Sequence, residues 1–321
     1  MKNKIQLFLV LILLFQSCIK NELATKISNH TKEENEELIT ENTVETKNIF
    51  VMEPISLNDS LRKYQSFISI SEIIKVNIIP NSEIEQQREK NNVALFELNN
   101  KLRKNLFEVA KLSEQDSLFI FNYIENKTLA FAIKDLKVIA IKNAYQDNSE
   151  LQTGDDYHIG FAIGEAANYV DYPEHLTTNL VCINNENPFT KANITPITWR
   201  LSNINIVPST LKKHIKKQNV YEFKNNNKMF YMLDDNYKTR SIFVFNERKE
   251  LLYQNKFTLG DLDHFSEINP ANGLNSSFTG QLFDQNSDVI FGIMNKSIGC
   301  ESIHYLNSEK IELTIKCDNR H

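Results

Sequence analysis

The chain is poor in several of the residues on which common chemistries depend. Glycine occurs only 8 times in 321 residues, and no glycine-rich loop able to cradle a phosphate appears. No HExxH helix and no CxxC pair is present, which removes the usual zinc signatures. No GxSxG elbow is present either; GLNSSFTG at 273–280 resembles one only superficially. A basic excess is also lacking, since 36 Lys and Arg stand against 41 Asp and Glu with a net charge of −5. A nucleic-acid partner would favour a basic domain. Apolar runs of membrane-spanning length are missing too, because a spanning helix needs roughly 20 apolar residues.

The longest apolar run, Ile5 to Phe15, follows Lys2 and Lys4 and ends at Gln16, Ser17 and Cys18. Its size and basic flank are those of an export signal. An ordinary secretory peptidase wants small residues at −3 and −1, and cleavage before Cys18 puts Phe15 at −3. A small residue directly before a cysteine resembles instead the signal of a bacterial lipoprotein. The Asn-rich composition and the Ser-Cys ending are similar to lipoproteins of the Bacteroidota. The resemblance implies removal of residues 1–17, acylation of Cys18, and attachment to the cell envelope, at the periplasmic or surface face of the outer membrane. Ile19, Lys20, Asn21 and Glu22 follow, with a single acid.

Four segments are expected: a signal at 1–17, a lipidated cysteine and tether at 18–50, a mainly helical subdomain at 51–147, and a β-rich domain at 148–321. The tether expectation rests on composition, for no aromatic occurs between Cys18 and Phe50. Such a segment buries too little apolar surface to offset its ordering entropy. About 30 disordered residues reach roughly 30 Å, with a contour near 100 Å. The remaining chain is long enough for one large or two smaller domains.

The fold class expected is α+β. Leu61, Tyr64 and Ile68 mark a short amphipathic helix. Ser82 followed by Glu85 reads as a capping box, and Leu95, Leu98, Leu102, Leu106 and Val109 continue a helix of roughly 30 residues. Ser113 with Asp116 opens another helix, closed by Asn126, which completes an antiparallel helix pair. KVIAIK (137–142) reads as a strand. From about 150 the period shortens, and YHIGFAI, NLVCI, VYEF with MFYML, SIFVF with ELLYQNKF, and GQLF with VIFGI read as strands. An antiparallel meander is the simplest topology, as a sandwich, a barrel or a sheet packed on helices. A short basic helix, Thr210 to Gln218, interrupts it.

Export permits disulfides. A hairpin centred between Ser308 and Glu309 sets Leu306 opposite Ile311, His304 opposite Leu313, Ser302 opposite Ile315, and Cys300 opposite Cys317. This register makes one apolar face, an opposite-charge pair (Glu301 with Lys316) and a cysteine pair agree. With a two-residue turn the cysteines fall at a non-hydrogen-bonded pair, about 4.5 Å apart at Cα, which suits a disulfide. Two buried thiols are the alternative. Cys182, in an apolar strand, reads as inert core.

Three clusters mix acids with histidine: Asp155, Asp156 and His158; Asp171, Glu174 and His175; Asp261, Asp263 and His264. If their loops converge they supply a metal site or an acid–base pair, but loops collect Asp and His anyway, and solvated or capping roles explain them better. Asp284, Asn286 and Asp288 imitate a calcium loop, but Val289 stands where its glycine is required and Asn295 where its glutamate is. Lys212, Lys213, Lys216 and Lys217 offer an anion a basic face, or simply a solvated one. Trp199 and the abundant Phe and Tyr serve a carbohydrate platform or core packing. No catalytic residue and no cofactor is indicated. The reading that follows is a non-catalytic, lipid-anchored binding module for an envelope protein or polymer. The alternatives are a hydrolase of envelope polymers and an immunity or inhibitor lipoprotein.

Overall fold

The computed structural model describes residues 48–58, 63–147, 149–150, 153–163, 178–216, 218–235, 238–270, 276–284, 287–309 and 311–318. The expected Cys18 anchor and residues 18–47 of the tether, the Asp171, Glu174 and His175 cluster, Lys217 and Asn286 lie outside them; Ile49 and Phe50, expected to end the tether, are instead buried strand.

Strand outweighs helix, 43% to 14%, which overturns the α+β expectation and its helical N-terminal subdomain. One sheet has nine strands, in the order β10 (Asn193–Pro196), β17 (Phe278–Gln281), β18 (Val289–Phe291), β20 (Ser302–Tyr305), β21 (Glu312–Lys316), β1 (Ile49–Phe50), β9 (Asn179–Asn184), β5 (Ser117–Asn122) and β6 (Lys127–Ala132). A five-stranded sheet runs β2 (Glu53–Asn58), β3 (Lys63–Ser69), β8 (Tyr157–Ile163), β7 (Lys137–Lys142) and β4 (Leu95–Glu97). A second is a meander: β11 (Arg200–Leu201), β12 (Asn219–Asn225), β13 (Lys228–Asp234), β14 (Thr239–Asn246) and β15 (Leu251–Thr258). β16 (His264–Phe265) and β19 (Met294–Asn295) form a small pair. The strands of segment 51–147 do not stand apart, because β8 lies between β3 and β7, and β9 between β1 and β5.

Each expected helix is replaced, divided or shortened for an identifiable reason. Lys63–Ser69 is strand, where Phe67 and Ser69 share one face and Ser66 and Ile68 the other. The roughly 30-residue helix is two, α1 (Asn81–Glu89) and α2 (Asn100–Ala110), with β4 between them. α1 starts after Pro80 without a side-chain cap. α2 is capped by Asn99, whose Oδ1 accepts the N–H groups of Lys101 and Leu102 at 3.1 Å, and it ends on left-handed Lys111. Ser113 and Asp116 bind each other across a turn rather than opening a helix. The run that follows is β5, paired with β6 through a hairpin that has Asn126 at positive φ. The apolar residues of β5 sit in an unbroken row because both faces of a buried strand are covered. The basic helix is only α3 (Ser209–Lys212).

The cores explain the layering. The five-stranded sheet with β3, β7 and β8 sets Ile68, Val138 and Phe161 against Phe50, Leu118, Ile120 and Val181 of the nine-stranded sheet, with α1 and α2 closing the layer. The other face of the nine-stranded sheet curls around Ile49, Phe121, Cys182, Phe291, Ile303 and Ile315. The meander packs Phe230, Met232, Val244, Tyr253 and Phe257 on Ile290, Ile293 and Leu306, with Trp199 buried among them. Trp199 is therefore core and offers no platform.

Cys300 and Cys317 are joined as a disulfide, their Cα atoms 5.6 Å apart. The hairpin that carries them is one residue out of the expected register, since His304 faces Glu312 and Ile303 faces Leu313. The loop is also wider, closed by the Tyr305 N–H on Ile311 O at 3.0 Å. Register follows from pattern only where one face is wet. Here Ile303, His304, Tyr305 and Leu306 are all buried, so both faces are dry on β20 and the pattern carries no parity.

Candidate functional site

Where the meander meets the nine-stranded sheet, a cleft of about 200 Å³ opens between β15 and the β18–β21 region. That is below the ~300–1,000 Å³ of drug-sized sites and suits one ring or one or two side chains. β20 projects Ser302 and His304 to the same side, because they are two residues apart on a strand, and Glu312 faces His304 from β21. Asn255 comes from β15 and Lys296 from the segment after β19. The rings of Tyr253 and Phe257 pack on the imidazole, Phe257 edge-on with centroids 5.1 Å apart.

Burial sets the charge of this cleft. His304 is 8% exposed. Desolvation pushes its pKa below the ordinary imidazole value; Glu312 opposes the shift and Lys296 adds to it. Glu301, also on the lining, has its carboxyl pushed up by desolvation, against the pull of Lys296. Desolvation therefore favours the uncharged form of both inner groups. The Ser302 hydroxyl is buried without a hydrogen-bond partner. A buried hydroxyl left so costs about 1–3 kcal/mol, a deficit that a bound polar group would remove.

The expected acid–histidine clusters are dispersed into other roles. Asp156 closes a capping box with Thr153 at the turn before β8, and Asp155 is exposed on that turn. His158 turns to a residue from the far end of the chain, with Nδ1 lying 3.1 Å from Asp318 Oδ2. The same carboxylate oxygen accepts the Ser69 hydroxyl. Glu72 Oε1 accepts the N–H groups of Cys317 at 3.0 Å and Asp318 at 2.7 Å. Asp263 accepts the N–H of Gly260 at 3.0 Å and that of Ser297 at 2.8 Å, and these bonds hold its carboxyl below the ordinary range. Asp261 offers its carbonyl to the Ser297 hydroxyl, and His264 Nε2 meets Asn295 Nδ2 at 3.1 Å. Among the described residues one group of metal-ligand type converges, Glu72 with Cys300 and Cys317. Its sulfurs are consumed in the disulfide.

Several of the remaining candidates are also engaged. Asp284 accepts the Lys191 N–H at 3.0 Å, and Asp288 pairs with Lys228 at 2.6 Å. Lys212 Nζ donates to Asn205 O at 3.1 Å, the Lys216 N–H donates to Gln218 Oε1 at 2.8 Å, and Lys213 is exposed. Cys182 is buried.

Sequence reasoning passed over Glu301, Ser302, His304 and Glu312 as a polar group. A mixed polar and apolar hairpin in which His304 interrupts an apolar run was the available signal. Asp318, near the terminus and 249 residues from Ser69, carried none.

No protein-family model matches the chain, and neither a curated protein nor a solved structure does.

Proposed function

We propose that the chain is a lipid-anchored cell-envelope protein, processed before Cys18 and held at the outer membrane by acylation there. Residues 18–47 act as its tether, and the β-rich body, which begins with β1, is a non-catalytic binding module for an envelope protein or polymer. The observation that carries the binding reading is the cleft at His304. Desolvation shifts His304 and Glu301 toward their uncharged forms, and the Ser302 hydroxyl lacks a partner. Such a lining suits recognition of a neutral polar group more than charge-driven capture. The anchor reading rests on residues 2–18 of the sequence.

Two experiments test the two halves. A clickable fatty acid labels the wild-type protein and fails to label Cys18→Ser; label in neither puts the protein outside this reading. In-cell crosslinking of the tagged protein, read by mass spectrometry, recovers one reproducible envelope partner. Ser302→Leu, which fills the cleft, lowers that yield, whereas an unchanged yield removes the cleft from the reading.

A hydrolase reading has one observation in its favour. With Nδ1 of His158 held by Asp318, Nε2 is left buried without a partner, the arrangement of an oriented general base. Release of soluble fragments from purified cell-wall polymer by the wild type, lost in His158→Ala and retained in Ser302→Leu, would carry it over the binding reading.

A further inference from the structure

One wall of the cleft is of an unexpected kind. Asn255, Lys256, Phe257 and Thr258, four consecutive residues of β15, all line it. A sheet face presents only alternate residues of a strand. The cleft is therefore bordered by the edge of β15, where the main chain itself is on offer. β15 is the last strand of its sheet and pairs with β14 alone among the described residues.

The direction of its backbone groups follows from parity. The Leu259 N–H donates to Lys238 O at 3.0 Å. Facing pairs along an antiparallel ladder alternate between bonded and non-bonded. Phe257 with Arg240, and Asn255 with Ile242, are thus the pairs bonded to β14. The N–H and C=O groups of Lys256 and Thr258 point out of the sheet. The Lys256 N–H behaves accordingly, since it donates to Asn255 Oδ1 at 2.9 Å and not to β14, a local bond that an incoming carbonyl would replace.

Most other sheet edges among the described residues are blunted; β6, with 6 residues and no proline, is not, but it does not line the cleft. β2 contains Pro54 and β10 contains Pro196, β4 has 3 residues and β11 has 2. Proline and shortness are the usual defences of a sheet edge. β15 has 8 residues and no proline.

Beside this edge stand two exposed apolar side chains. Leu262, a few residues past Thr258, is 83% exposed, and Ile298, two past Lys296, is 69% exposed. Ser297 and Asp263 tie their loops together at 2.8 Å. Leu262 also has φ +68, a left-handed conformation that a leucine adopts only under constraint.

We propose that the free edge of β15 receives an extended segment of a partner polypeptide as a sixth strand of the five-stranded meander. The segment's main chain bonds to Lys256 and Thr258. One neutral polar side chain enters the cleft against Ser302 and His304, and a nearby apolar residue covers Leu262 and Ile298. Main-chain bonds supply affinity and alternate side-chain pockets supply selectivity, as in other strand additions. A polypeptide is the occupant because outward-pointing amide groups in strand register are complementary to another main chain. This rests on the binding-module reading and narrows its partner to a protein.

The test uses the detergent-solubilised full chain and a phage-displayed library of linear peptides. Lys256→Pro deletes an N–H that β14 does not use, so the ladder survives; Lys256→Ala is its control. Enriched peptides should bind wild type and Lys256→Ala alike and Lys256→Pro about tenfold more weakly. N-methylation of the peptide at alternate amides should abolish binding in one phase and spare it in the other, a readout that needs no variant to fold. Absence of enriched peptides, equal binding to Lys256→Pro, or indifference to the phase of methylation overturns the proposal. A dimer of the protein itself that Lys256→Pro dissociates also overturns it, because the occupant is then a second copy. In-cell crosslinks to a reproducible partner that avoid β15 would sink this inference and leave the binding module standing.

Discussion

The Asp318 carboxylate, close to the end of the described chain, takes the Ser69 hydroxyl and His158 Nδ1 on one oxygen, the imidazole nitrogen 3.1 Å away. Ser69 and His158 belong to the neighbouring strands β3 and β8 of the five-stranded sheet. Asp318 follows β21 of the nine-stranded sheet, so this single carboxylate fastens one sheet to the other.

Removing it should loosen that junction. Asp318 is 5% exposed, and Asp318→Ala leaves the His158 imidazole N–H without this acceptor and the Ser69 hydroxyl with Ser71 Oγ, 3.1 Å away, in its place. The expected loss is about 1–3 kcal/mol of unfolding free energy, measured by urea denaturation. Asp318→Asn keeps an acceptor oxygen and should lose less. Equal losses in the two variants would mean that packing, not hydrogen bonding, holds the junction.

The adjacent disulfide closes a loop with a sequence separation of 17. Loops of that size are stabilised by about 3 kcal/mol through restriction of the unfolded chain. A reductant should therefore lower the urea midpoint of the wild type and leave a Cys300→Ser, Cys317→Ser double variant unaffected. A wild type indifferent to reductant would contradict the bridge.

Stability should depend on pH through His304. Its folded pKa lies below the unfolded value of about 6.5. Between the two values the unfolded chain binds the extra proton, so stability falls as pH drops through about 6.5. Glu301 acts oppositely. Its folded pKa lies above about 4.5, and stability is lost as pH rises from there through the raised value. Titration of unfolding free energy should show the first slope flatten in His304→Asn and the second in Glu301→Gln. Unchanged profiles would refute the assignment.

Gly160 sits in β8 where no side chain fits. A Cβ there would stand 1.9 Å from the Ile68 carbonyl oxygen and 2.9 Å from the Phe67 ring. The obstacle is main chain of the adjacent strand and cannot swing aside. Gly160→Ala should cost about 3 kcal/mol, the upper part of the overpacking range, and a near-neutral melting temperature would count against the β3–β8 register.

Strands were legible where no helix-like signal competed. Runs such as KVIAIK, YHIGFAI and SIFVF are strands β7, β8 and β14, and they read as strands because β-branched and aromatic residues crowd between polar turns. The errors fell on Lys63–Ser69, Leu95–Glu97 and Ser117–Asn122. At these places apolar residues spaced by three and four, or a Ser-x-x-Asp turn, imitate helix chemistry, and sheet pairing overrode local preference. Asn99 was the true helix cap, hidden inside what read as a continuous helix. The cysteine pair was legible because both members flank one hairpin. The cleft at His304 was not, because it is assembled from β15, β18, β20 and β21, and nothing local announces which strands will meet.

β1 bears on the order of events during synthesis. Ile49 and Phe50 are bonded on one side to β9 and on the other, in parallel, to β21. The first strand of the described chain therefore waits for almost the last. A polypeptide emerging from its N-terminus cannot complete the middle of its largest sheet until residues 312–316 are out, and pairings so distant in sequence form slowly. Until then Ile49 and Phe50, both buried in the finished protein, have an uncovered side. The growing chain is most in need of a holding chaperone just before residues 312–316 arrive, and a version truncated there should aggregate where a longer internal deletion in an exposed turn would not.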